Sequence, residues 1–226
     1  EQHGENGMSG YLGFLLAARN EDFAGKAPTD LPLSRAFYGT GIAVLNTNLM
    51  DGHDTVQIQF KSSPFGRYSH GYNANNAFLL NLGGERALIR SGARDVYGSP
   101  HHAQWMWETK SDNAILVNGK GQRPHRGDAV GRITAFDTSP AVDVVAGDAG
   151  EAYDNLDRWT RRIVFFKPNV IVIHDLLEAP EPSTFQWLLH GKDAAFEIGE
   201  NAASWEGKPG RVSVQFLTPE GLDITQ

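Results

Sequence analysis

Residues 55–91 read TVQIQFKSSPFGRYSHGYNANNAFLLNLGGERALIRS. Thr55 to Phe60 alternates polar and apolar at every step, the two-residue period of a strand with one buried and one wet face. Ala77 to Leu82 and Arg86 to Ser91 are two more strand-like runs, joined by Gly83-Gly84. Glycine accepts the positive φ that a tight turn needs, so the pair predicts a hairpin. Between the first run and the hairpin lies a polar loop, Ser69-His70-Gly71-Tyr72-Asn73. Loops held between rigid strands are where a scaffold places its chemistry.

The same grammar extends outward. Ile42 to Leu49, Ala114 to Asn118, Phe185 to His190, Ala195 to Ile198 and Arg211 to Leu217 read as strands. Arg161 to Phe166 and Val170 to Leu177 form a second hairpin around Lys167-Pro168-Asn169. No helical period intervenes between these runs, and 25 Gly and 11 Pro supply the turns. The predicted fold is all-β, a large antiparallel β-sandwich. Gly10 to Asn20 reads as a helix too short to be a domain, the last helix of something upstream. The boundary falls in the mixed-polarity linker Glu21 to Phe37, so residues 1–37 are an upstream end and linker, and residues 38–226 the sandwich. Leu222 to Thr225 reads as the start of a further strand, so the sandwich is expected to be truncated at its C-terminus.

Composition narrows the function classes. No apolar run approaches the ~20 residues of a membrane span. The chain has no cysteine, which excludes disulfides. Its net charge of −7 argues against general binding to nucleic acid or to anionic membranes. The charge is uneven, however. From Lys61 to Arg126 there are nine Lys and Arg against four Asp and Glu. That basic stretch coincides with three polar clusters, Ser69 to Asn73, Tyr97 to His102 and Ser111 to Asn113, which points to an anion site.

Residue types within the clusters sharpen this. His70 has an imidazole that titrates near pH ~6.5 and so takes or gives a proton at neutrality. Tyr72 is a second proton carrier, and the amides of Asn73, Asn75 and Asn76 suit an oxyanion or a carboxylate. Arg90 and Arg94 offer the two-pronged hydrogen bond that fits a carboxylate or sulfate, or equally a surface ion pair with Glu85 or Asp95. Tyr97 and His101-His102 suit a metal or a sugar, and if this segment is a strand the two histidines point to opposite faces, which sets them against ligating one metal together. Trp105 and Trp107, two apart, would share a face, either as core or as a stacking platform for a sugar ring. His174, inside the apolar run Val170 to Leu177, is expected to be a core histidine. No phosphate loop, serine nucleophile elbow or zinc-finger spacing is present.

Ser69-His70-Gly71-Tyr72 leads into Asn76-Ala77-Phe78. Ser91-Gly92, Tyr97 to His102, Ser111 to Val117 and Gly119 to Gln122 follow in order. This series, from about Leu31 to Gln226, resembles the central β-sandwich of the heparinase II/III-like polysaccharide lyases. The resemblance implies a supersandwich-like fold after an N-terminal (α/α) toroid, and cleavage of uronic-acid polysaccharide by β-elimination. It implies that His70 is the sandwich's catalytic histidine, with Tyr72 beside it. Asn73, Arg90, Arg94, Tyr97, His101, Trp105 and Gln122 are the implied substrate contacts. The implied partners are an acidic polysaccharide and the chain's own toroid, with no nucleic acid and no membrane, in a secreted or periplasmic protein.

Some members of that family bind a structural zinc at positions that correspond here to Tyr72, Arg90 and Asp112. A guanidinium is no zinc ligand, so no metal or other cofactor is expected. A carbohydrate-binding or purely structural domain, and a uronyl epimerase of the same architecture, are the competing readings.

Overall fold

Ile58 and Phe60 point inward and Gln57 and Gln59 outward, as alternation requires. The outward amides form a ladder. Gln57 donates to Asn46 Oδ1 at 2.8 Å, and Gln59 and Asn81 donate to Gln57 Oε1 at 2.8 and 2.9 Å. In the structure, a computed structural model, residues 26–66, 71–92 and 95–226 are described. The chain divides into a unit Glu1–Leu31 and a unit Pro32–Gln226. Of the first unit, the described residues show a Lys26–Asp30 ion pair at 2.7 Å. The expected helix at residues 10–20 lies outside the described residues.

The second unit is built of antiparallel strands: β1 (Arg35–Phe37), β2 (Ile42–Asn46), β3 (Val56–Lys61), β4 (Ala77–Leu82), β5 (Glu85–Leu88), β6 (Ile115–Val117), β7 (Arg132–Thr138), β8 (Val142–Asp148), β9 (Arg158–Phe166), β10 (Val170–Glu178), β11 (Phe185–Trp187), β12 (Glu197–Ile198), β13 (Ala202–Gly207) and β14 (Gly210–Gln215). One sheet has the order β1-β2-β3-β4-β5 and a second β10-β9-β8-β7, while β11-β6 and β12-β13-β14 form smaller sheets. The main core combines Leu45, Ile58, Phe60, Phe78 and Leu80 of the first sheet with Val145, Ile163 and Phe165 of the second, and Trp205 of β13. The fold is the all-β sandwich that the alternation predicts. Gly147 on β8 lets the layers approach, since a Cβ there would lie 2.7 Å from Phe60 Cζ.

A second core gathers Ala74, Ala77, Ala114, Ile115, Val117, Tyr153, Leu156 and Trp159, with Tyr72 packed against it. It ties the polar loops to the sandwich.

Four strands were not read from the sequence, and two local expectations change. β1, β7, β8 and β13 carry no clean sequence alternation. In β8 the inward positions are Asp143, Val145 and Gly147. Asp143 is buried because Ser34 and Thr138 donate to it, both at 2.6 Å, and Lys167 Nζ lies 3.0 Å away. His102–Met106 is a short π-helical turn rather than a strand, so Trp105 and Trp107 do not share a strand face. His174 faces solvent, and its neighbour Asp175 is the residue that turns inward.

Candidate functional site

Loops at the ends of β3, β5 and β6 place the site residues. Asn75 and Asn113 act as struts that hold them. Asn75 accepts from the Ser63 amide at 2.8 Å and donates to the Ala129 carbonyl at 3.0 Å. Asn113 donates to the Phe78 carbonyl at 2.8 Å and accepts from the His190 amide at 2.8 Å. Asn76 holds a positive φ of 56°, a conformation that asparagine tolerates better than most residues.

Asn73 and Gln122, both expected to touch substrate, sit in this framework. Gln122 Oε1 accepts from the Asn75 amide at 3.0 Å and its Nε2 donates to the Asn75 carbonyl at 2.8 Å. The Asn73 carbonyl accepts from Thr109 Oγ1 at 2.8 Å, while its buried Nδ2 has no hydrogen-bond partner among the described residues.

Tyr72 and Arg90 meet. The guanidinium carbon of Arg90 lies 3.4 Å from the centroid of the Tyr72 ring, a cation–π stack. Arg90 Nε is 3.3 Å from Asp112 Oδ1, and its Nη2 donates to Ser111 Oγ at 3.4 Å. Lys61, at the end of β3, donates to the Tyr72 carbonyl at 3.2 Å. Burial pushes the Asp112 carboxyl up to about 7, against the pull of Arg90 and Lys61. Burial also lowers the Lys61 ammonium, which the Asp112 charge partly offsets.

This set does not fit a zinc ion. Tyr72 presents its ring face, Arg90 has no lone pair to give, and Asp112 alone remains as a ligand. Among the described residues no group of three or more His, Cys, Asp or Glu side chains could hold a metal.

Tyr97 belongs to a separate aromatic group. Its side chain is exposed, at 75% for the residue, and its ring centroid lies 4.8 Å from that of His102. His102 and Trp107 are 4.4 Å apart, and Trp107 and His125 4.8 Å. Trp105 turns elsewhere, with its ring edge-on to His190 at 6.5 Å and Lys110 Nζ 5.5 Å from its centroid. His101 is exposed and packs against the Ser91-Gly92 turn, where a Cβ on Gly92 would come within 3.0 Å of its ring. Gly92 has φ +85°, so both its backbone and its neighbour call for glycine. His70 and Arg94 lie outside the described residues.

Sequence reasoning missed Lys61, His125 and Arg161. Nothing in the local pattern marks Lys61 or His125. Arg161 lies within β9, just before the apolar run Ile163 to Phe166, and an arginine beside such a run is a signal that a buried partner exists.

The fold and the site thus define an antiparallel β-sandwich domain with a buried cation–carboxylate cluster and an exposed aromatic group on its loops. The family model described as "Heparinase II/III-like, C-terminal" matches residues 29–220, and the chain belongs to that family. Solved structures share the fold. The heparan sulfate lyase HepC from Pedobacter heparinus superposes with TM-score 0.68 at 18% identity, over 89% of this chain and 31% of that one. A heparinase III gene product gives TM-score 0.73 at 16% identity, over 92% of this chain and 32% of that one. The chain therefore spans about a third of the length of the lyases it resembles. No curated protein matches it at a significant level.

Proposed function

We propose that this chain is the sandwich portion of an exported polysaccharide lyase that cleaves uronic-acid polysaccharide by β-elimination. The observation that carries the reading is the family match over residues 29–220. The chemistry needs three things. A cationic or amide group neutralises the uronate carboxylate, so that the C5 proton becomes acidic. A base removes that proton, and an acid protonates O4 as the C4–O4 bond breaks and the C4–C5 double bond forms.

On this reading His70 and Tyr72 carry protons, Arg94 and Tyr97 hold the polymer, and an N-terminal toroid supplies the other half of the site. Exposed Tyr97, with Trp107 and His125 behind it, suits a sugar ring, whose C–H faces stack on aromatic rings. That exposure also favours the second reading, a glycan-binding domain without catalytic residues.

The test uses the full-length protein, wild type and His70→Ala, on a panel of uronic-acid polysaccharides, read by ultraviolet absorbance of the unsaturated product. Turnover on one polymer, lost by roughly 100-fold or more in the variant, supports the lyase. Binding without absorbance in the wild type rejects it in favour of the binding domain or the epimerase. Turnover unchanged by the variant rejects the role of His70.

A further inference from the structure

Segments far apart in sequence converge on one guanidinium. Arg90 follows β5, Tyr72 precedes β4, and Ser111 and Asp112 precede β6. The Arg90 side chain is 20% exposed and that of Asp112 4%, so the cluster is largely shielded from water. One face of the guanidinium covers Tyr72 at 3.4 Å while its edge reaches Asp112 and Ser111. Beside it, the Ser91 amide donates to the Ser111 carbonyl at 2.7 Å, which fixes the Arg90 backbone to the same turn.

We propose that Arg90 is a positioning residue whose guanidinium is the resident cation of this cluster, clamping the Tyr72–Asn73 segment to the Ser111–Asp112 turn where a metal ion would otherwise serve.

The charges fit a planar organic cation better than a metal. Arg90 lies against the single Asp112 carboxylate, and Lys61 adds a second positive group on the Tyr72 carbonyl. A divalent ion added there would meet two cations in a partly desolvated site, with one carboxylate to hold it. A guanidinium, in contrast, stacks on an aromatic face and donates in its own plane, and both contacts are made here. The clamp has a functional consequence because Tyr72 is two residues from His70. A displacement of Tyr72 is passed along the chain to the proposed catalytic loop.

The experiment uses the full-length protein and has two arms. The first needs no activity: metal content is measured on purified protein, and thermal melting with and without a chelator. The expected result is no stoichiometric metal and an unchanged melt. About one bound metal per chain, with a melt that falls on chelation and returns with zinc, would overturn the proposal.

The second arm compares Arg90→Met and Arg90→Lys, and rests on the lyase reading. Arg90→Met is expected to lower kcat by about tenfold or more with little change in KM, because misplaced catalytic groups slow the chemical step. Arg90→Lys is expected to recover part of that loss. A rise in KM alone would make Arg90 a substrate contact and overturn its positioning role, as would a wild-type kcat and melt in Arg90→Met. If the parent protein shows no lyase activity, melting and limited proteolysis of the same variants decide the clamp: unchanged profiles reject it.

Discussion

Arg161 enters the core with no exposed side-chain surface and every direction occupied. Its Nε and Nη2 donate to the two Asp175 oxygens at 2.8 Å each, and its Nη1 donates to the carbonyls of Asn76 and Asn113 at 2.9 and 2.8 Å. The indoles of Trp159 and Trp187 donate to the same carboxylate at 2.9 and 3.0 Å. Burial pushes the Asp175 carboxyl up, but the Arg161 charge and these hydrogen bonds together hold it below the usual range. Replacing Arg161 by Met leaves the buried Asp175 charge without its cation, and a loss of about 3–5 kcal/mol is expected by urea denaturation. Asp112 behaves in the opposite sense. Its folded value, about 7, lies above the unfolded carboxylate range, so the folded chain takes up a proton that the unfolded chain has released. Stability from this group is therefore full below about pH 4 and is lost as pH rises to about 7. Asp112→Asn is expected to flatten that slope, seen as denaturation midpoints that differ less on either side of the window than in wild type. Neither behaviour was legible locally. Asp112 with Asn113 reads as either a turn or a ligand pair, and Asp175 as the neighbour of a core histidine.

The two hairpins, β4–β5 and β9–β10, were legible because apolar runs and the turn residues between them agreed. Gly83 and Gly84 have φ of 56° and 77°, the left-handed values the turn requires. β8 was not legible, since an inward Asp and an inward Gly break the apolar period. The glycine has a tertiary reason. A Cβ at Gly147 would fall 2.4 Å from Asn76 Oδ1 and 2.7 Å from Phe60 Cζ. Gly147→Ala is expected to cost about 1–3 kcal/mol by overpacking the layer contact, measured as a lower melting temperature. The segment after Tyr97 failed for a different reason. Its paired aromatics imitate strand spacing, but the capping Ser99 hydroxyl accepts from the His102 amide at 3.1 Å and starts a helical turn.

Across the whole molecule, a net charge of −7 coexists with a basic stretch from Lys61 to Arg126. Several of its cations are paired in the fold, Arg90 with Asp112 and both Arg123 and Arg126 with Asp128. An acidic polymer bound by the remaining exposed charge would be screened by salt, so KM for it is expected to rise with ionic strength while kcat changes little. Titrating sodium chloride in the ultraviolet assay checks this, and a salt-independent KM would remove electrostatics from the binding argument. The fold class, the hairpins and the family were determined by the sequence alone, because strand period, turn glycines and ordered loop motifs are local signals. Tertiary structure decided which polar residues are struts and which face outward. Gln122 braces Asn75, Tyr97 stands exposed, and Arg90 lies flat on Tyr72. The physical reason is that a polar side chain's role depends on its desolvation and its partners. Those partners come from strands and loops distant in the chain, so no window of sequence contains them.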